Sequence, residues 1–521
     1  MNLKARFQTV LILSMVLGLI VSSQARAQAR QAPPPEYKEL VAAYDIKDTS
    51  ARVKEFERIK AAYPNSQYTE AIDGSIVEAK VELADTMDSI LALQKDLLAK
   101  GRGPARLQNP TEAADQILRH PKLGTFDKAA VLTVVLKYKE DALKAAEDPA
   151  TYEGIPENRR DYFKTQFVNG FGILAAKAYL NAGDATQAMA ALEGYRKAGG
   201  AAGGNYQYVL AGVKEKMGRV DEAYNAYLTA AVENFEDSKD RAEGLYVKIN
   251  GGADGFEAAL EAKLKALPFH PEAFKAPAGW KGRAVLAELF TGSECPPCVG
   301  ADLGFDGLIE SVPAKYLVVL VYHLPIPRPD PMMNPAAKLR QEFYGVNSTP
   351  TVFFDGTNKM VGGGNRGMAE GKFAEYKAAV ERLLSTAPEV SLKVRASLAG
   401  ETVKAALEFD KVVPGADYLV ALVQGEQEHK GSNGLLSHKM VVRDLLAIDP
   451  AATKAAAFDL AASENGADAY LTEFEKTYTR VPNFKWAVRR NAIARQGLKV
   501  VFFVQDKETK KVLNAVIADV K

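Results

Sequence analysis

Hydrophobic periodicity changes character near residue 267 of this 521-residue chain, and that change limits the fold more than any single motif does. From about Glu39 to Ala266 apolar residues recur three and four positions apart, as in Val53, Phe56, Ile59 and Tyr63, or Ile90, Leu93, Leu97 and Leu98. That spacing lays one apolar stripe along a helix. Past Leu267, the residues Pro268, Pro271, Pro277 and Gly279 form a linker. Short β-type runs then alternate with helices: Ala284–Phe290, Leu317–Tyr322 and Thr351–Phe354 read as strands, Ala336–Tyr344 and Met368–Leu384 as helices. After Pro388 come strands at Val390–Leu398, Thr402–Phe409, Tyr418–Val423, Lys439–Leu445, Val500–Gln505 and Val512–Val520, the last two a hairpin around Asp506–Lys511. The expectation is a multidomain chain: all-α helical hairpins over residues 36–266, an α/β module over 280–386, and an all-β sandwich over 388–521. With 47% apolar and 25% charged residues, the chain has material for separate cores.

Lys4 and Arg6 precede an apolar run from Val10 to Val21, and small residues follow with Ala25-Arg-Ala27 and Ala27-Gln-Ala29. Charge, short apolar run and small-residue sites in that order read as a cleaved secretory signal over residues 1–29. The run is too short to span a bilayer comfortably. The mature chain is therefore expected outside the cytoplasm, periplasmic or secreted, with no stable membrane insertion. The 66 Lys+Arg and 65 Asp+Glu nearly cancel, so no long-range field favours nucleic acid as a partner. Two cysteines cannot build a four-cysteine zinc site, and the five histidines lack ligand spacing, so no metal is expected.

Within the helical region, Ala178-Tyr179-Leu180 with Gly183-Asp184 and Ala188 is echoed by Val213–Lys216 with Gly218-Arg219 and Ala223. Gly183 to Gly218 and Ala188 to Ala223 are both 35 residues apart. The segment resembles tetratricopeptide (TPR-like) helix hairpins, in which glycine sits in the turn and alanine lets paired helices approach.

Both cysteines fall in Cys295-Pro296-Pro297-Cys298, after a strand and the loop Thr291–Glu294, where a helix is expected to begin. Two cysteines three apart at a helix N-terminus close a small disulfide, and the helix dipole favours the first as a thiolate. A thiolate is the attacking species in thiol–disulfide exchange, and the second thiol resolves the mixed disulfide. A purely structural role fits less well, because so short a loop constrains little.

Val285-Leu-Ala-Glu-Leu-Phe-Thr-Gly-Ser-Glu-Cys-Pro-Pro-Cys298 and Tyr344-Gly-Val-Asn-Ser-Thr-Pro-Thr-Val-Phe-Phe-Asp-Gly356 resemble the secreted thioredoxin-like family of thiol–disulfide oxidoreductases over residues 280–386. The resemblance implies a thioredoxin fold, Cys295 as nucleophile and Cys298 as resolving thiol of a redox disulfide. It implies that Thr349 and a cis Pro350 form the loop that docks substrate. It also implies that Glu288 is a buried proton acceptor, although the loop from Glu288 to Cys295 is one residue longer than in thioredoxin itself. His323-Leu-Pro-Ile-Pro-Arg-Pro-Asp-Pro-Met-Met-Asn-Pro335 resembles an insertion of the secreted branch, with His323 an accessory group. More often, though, such a histidine fixes a loop by hydrogen bonds. The last hairpin resembles that of outer-membrane-associated secreted proteins.

The reading is thus an extracytoplasmic thiol–disulfide oxidoreductase acting on protein thiols and disulfides, served by an electron-transfer partner and needing no dissociable cofactor. Pro296 and Pro297 lack amide hydrogens, so fewer donors reach the Cys295 sulfur than in a strong oxidant of this fold, which tilts the reading toward a reductase. The alternative is a non-catalytic secreted interaction protein that uses its helical hairpins and β-sandwich.

Overall fold

A computed structural model describes residues 34–521, so the signal expected over 1–29 lies outside the described residues. The chain divides into two compact units, one ending at Asp254 and one running from Gly255 to Lys521.

The first unit is helical. Its helices are α1 (Pro35–Ala43), α2 (Thr49–Ala62), α3 (Thr69–Leu83), α4 (Met87–Lys100), α5 (Ala105–Leu118), α6 (Lys128–Ala146), α7 (Glu157–Ala182), α8 (Ala185–Lys197), α9 (Gly204–Lys216), α10 (Val220–Ala231) and α11 (Ser238–Asn250). Side chains start several of them: the carboxylates of Asp48, Asp127 and Asp184 accept from the amides of Ala51, Ala130 and Gln187. Gly183 ends α7 at φ 89°, a left-handed position that glycine adopts without a Cβ penalty. α7 packs on α8, and α9 on α10. Ala188 and Ala223, the repeated small residues, are fully buried in these pairs. Among the described residues no helix is long and apolar enough to cross a membrane.

The second unit opens with α12 (Phe256–Lys265), counted with the helical region on sequence. Arg366 anchors it by donating to the carbonyls of Lys263, Leu264 and Ala266 at its C-terminal end. The order that follows is β1 (Val285–Thr291), α13 (Val299–Ser311), β2 (Leu317–His323), α14 (Pro335–Tyr344), β3 (Thr351–Phe354), β4 (Asn358–Val361) and α15 (Ala369–Leu383). Next come β5 (Leu392–Ala399), β6 (Thr402–Phe409), β7 (Ala416–Glu428), β8 (Ser437–Ile448), β9 (Ala455–Asp459), α16 (Leu460–Thr477), β10 (Leu498–Asp506) and β11 (Val512–Asp519). Helix α16 and strand β9 have no counterpart in the expected pattern.

The break expected at residue 387 does not separate two sheets. One eight-stranded mixed sheet runs β11-β10-β7-β8-β2-β1-β3-β4, and β5-β6-β9 form a second sheet. β2 joins β8 through the single register pair Val321↔Val441. So narrow a junction between strands over a hundred residues apart leaves no local pattern in the sequence. Val403, Leu407 and Phe458 of the small sheet share a buried core with Val420, Leu422, Phe502 and Val504 of the large one.

The two faces of β1 take different helices. Strand alternation sends Glu288 and Phe290 to one side, Leu289 and Thr291 to the other. The first pair meets α14, with Phe290 edge-on to Tyr344. The second meets α13, where Thr291 bonds to Asp302.

Candidate functional site

Cys295 and Cys298 form a disulfide at the start of α13 and are both fully buried. Pro296–Cys298 make a 3-10 turn that leads into the helix. The nearby amides are occupied: Cys298 N–H donates to Cys295 O at 3.0 Å and Gly300 N–H to Gly364 O at 2.8 Å. Val299 N–H donates to Pro296 O. Pro296 and Pro297 have none to give. The run Gly362–Gly364 straps this turn, with Gly364 N–H donating to Pro297 O at 2.7 Å. A Cβ on Gly363 would collide with Pro297 O and stand 2.8 Å from Pro350 Cγ, so the strap has room only for glycine there.

Thr349 faces the pair. Its hydroxyl donates to Ile326 O at 2.8 Å, and the same oxygen lies 3.4 Å from Cys295 Sγ. The Thr349–Pro350 peptide bond is cis, and so is Ile326–Pro327 in the proline-rich excursion.

His323 and Asp330 tie that excursion down. His323 Nδ1 lies 2.9 Å from Asp330 Oδ2, both side chains fully buried. Asp330 also accepts from the amides of Ser293 at 2.5 Å and Met332 at 2.7 Å. Burial acts to raise the Asp330 carboxyl, but the imidazole and these amides hold it at about 2. His323 therefore grips, through Asp330, the residue two before Cys295. The loop-fixing role is the one this geometry displays.

Glu288 is buried, yet its alternation parity puts it on the sheet face opposite α13, the helix that begins after Cys298. There Glu288 Oε1 takes Arg340 Nη2 at 2.6 Å and Nε at 3.0 Å, and Tyr322 Oη at 3.1 Å. Tyr344 Oη donates to Oε2 at 2.6 Å. The carboxylate expected as a proton acceptor is thus saturated by a buried ion pair and two tyrosines.

Asp302, which sequence reasoning passed over, lies on the α13 side of β1. It is four residues after Cys298 on α13 and 9% exposed, and Thr291 Oγ1 donates to its Oδ2 at 3.0 Å. Burial pushes its carboxyl up to about 7, against the hydrogen bond from Thr291 and the charge of His323. The signal was available: an aspartate inside an apolar helix stretch, one turn past a cysteine.

Two further features come from segments remote in sequence. The loop between β7 and β8 seats on the residues before Cys295: Asn433 N–H donates to Ser293 O at 3.0 Å, and its side-chain amide to Gly292 O at 3.4 Å. Three scattered histidines also converge, His323 with its ring 5.0 Å from His438, and His438 with its ring 6.1 Å from His429. Burial holds the His438 imidazole down to about 3. Among the described residues no group of three His, Cys, Asp or Glu is arranged to hold a metal ion.

Compared with known proteins, the chain matches no family model, no curated protein and no solved structure.

Proposed function

We propose that this chain is an extracytoplasmic thiol–disulfide oxidoreductase of the thioredoxin-like kind, leaning toward reduction of its substrates. The observation that carries the reading is the disulfide between the chain's two cysteines, set at a helix start with the Thr349 hydroxyl beside Cys295 Sγ. In support, β1 and β2 are parallel, β3 and β4 follow antiparallel, and α13, α14 and α15 come in the chain order that a thioredoxin-like chain would have. The hairpins α7–α8 and α9–α10 would be the TPR-like part, and the paired sheets of β5–β11 the sandwich.

In the reducing direction, Cys295 as thiolate attacks a substrate disulfide, forming a Cys295–substrate bond and releasing one substrate sulfur as thiolate. Cys298 then attacks Cys295 Sγ, re-forming the Cys295–Cys298 bond and releasing the second sulfur. Two electrons pass from the cysteine pair to substrate, and an external dithiol donor restores them. Because the amides of residues 298–300 are engaged elsewhere, the Cys295 thiolate receives little backbone stabilisation. A less stabilised reduced form means a more reducing couple. Thr349 and Pro350 would hold the substrate segment, and Cys295, being buried, must be uncovered for attack.

Trapping tests the reading. Cys298→Ser should accumulate protein adducts that dithiothreitol releases, and Cys295→Ser should not. Equal trapping by both variants, or none, would favour the alternative of a non-catalytic interaction protein.

A further inference from the structure

Helix α13 carries more than the resolving cysteine. Cys298, Asp302, Asp306 and Glu310 follow one another at four-residue spacing, and Cys298 already has helical dihedrals, φ −78° and ψ −23°. Residues so spaced share one ridge of a helix, with neighbouring Cβ atoms roughly 5–6 Å apart. Exposure rises steadily along the ridge: 0% for Cys298, 9% for Asp302, 20% for the Asp306 side chain and 48% for that of Glu310. Beside it lies a small cavity with room for roughly one water, lined by Asp302, Asp306, His438 and Lys439 among others. Lys439 Nζ spans the outer end, 3.8 Å from Asp306 and 3.0 Å from Glu310.

We infer that this ridge is a proton path, in which Asp302 takes the Cys298 thiol proton and passes it by way of Asp306 to solvent at Glu310. The inference rests on the exchange chemistry proposed above. In the resolving step the Cys298 S–H bond breaks and its proton goes to the Asp302 carboxylate. The sulfur electron pair forms the bond to Cys295 Sγ, and the Cys295–substrate bond breaks with its pair leaving on the substrate sulfur. That thiolate takes a proton from water, and Asp302 returns its own outward along the ridge. In the opposite direction the protonated Asp302 delivers a proton to Cys298 as it leaves.

The surroundings suit such a group. Facing Asp302 are Thr291 from β1, His323 from β2, Asp330 from the excursion, Tyr376 from α15, and His438 and Lys439 from the start of β8. Facing Asp306 are Lys439, Glu310, Glu426 and Arg366. Burial brings both aspartates up to about 7, where a carboxyl exchanges protons readily near neutrality.

The test mixes the reduced full-length protein with dithiobis(nitrobenzoate) and follows two releases of thionitrobenzoate. The first reports attack by Cys295, the second resolution by Cys298. The second phase of the wild type should rise with pH and inflect near 7. Asp302→Asn should slow it about tenfold or more at pH 7 and abolish the inflection. Asp306→Asn removes a negative charge that raises Asp302, so its inflection should move to lower pH. A folded Asp302→Asn protein that keeps both rate and inflection overturns the path. Should that variant fail to fold, an unmoved inflection in Asp306→Asn overturns it instead. Absence of the first release in the wild type overturns the exchange reading, and the path with it.

Discussion

Removing the guanidinium from the pair behind β1 should expose how much the second unit depends on it. Arg340 and Glu288 side chains are 3% and 0% exposed. Arg340 also donates to Gln505 Oε1 at 2.8 Å and to Tyr344 Oη at 3.1 Å, so one network links β1, α14 and β10. Arg340→Met leaves the Glu288 carboxylate buried without its counter-charge, a change that costs about 3–5 kcal/mol. Glu288→Gln added to it removes that stranded charge while keeping an acceptor for the tyrosines. The double variant should then lie only about 1–2 kcal/mol below wild type, near the value of one or two neutral hydrogen bonds. A coupling of about 2 kcal/mol or more between the substitutions follows. Urea unfolding followed by tryptophan fluorescence measures it, because the two tryptophans, Trp280 and Trp486, both belong to the second unit. A loss below about 1 kcal/mol for Arg340→Met, or additive losses in the double variant, would refute the ion-pair account. The same double variant, read in the two-phase thiol assay, should keep the pH inflection of resolution. Its disappearance would return the proton-acceptor role to Glu288 and defeat the facing argument.

Asp302 makes a second prediction, on stability. Its folded value is raised, so the folded state holds the proton more tightly, and its contribution is full below about 4 and lost as pH climbs through 7. Asp302→Asn should therefore be more stable than wild type at pH 8, by on the order of 2–4 kcal/mol, and nearly equal at pH 4, checked by urea midpoints. Pro297→Ala returns an amide to the first turn, and one charge-assisted hydrogen bond of about 1.5 kcal/mol should shift the couple roughly 30 mV toward oxidising in a glutathione titration. Asn433→Ala loosens the β7–β8 loop from Gly292 and Ser293, and should speed reduction of the Cys295–Cys298 disulfide by dithiothreitol. An unchanged rate would show that this loop does not limit access.

The helical first half and the strand-rich second half were legible because helix and strand leave different periods in a row of side chains, and burial of an apolar stripe requires those periods. The disulfide was legible because two cysteines three residues apart can close it, a local spacing. So was the loop-fixing reading of His323, which sits at a strand end before a stiff proline-rich segment. What the tertiary structure decided was everything that depends on facing and on distant partners. Glu288 and Asp302 are both acids near the motif in sequence. Only the pairing of β1 with its neighbours shows one turned toward Arg340 and the other sharing the α13 side with Cys298. The joining of β2 to β8, the seating of Asn433 beside Ser293, and the gathering of His323, His429 and His438 involve residues over a hundred positions apart. No local pattern encodes such meetings, because they are selected by the free energy of the whole packed core and not by the preferences of any one segment.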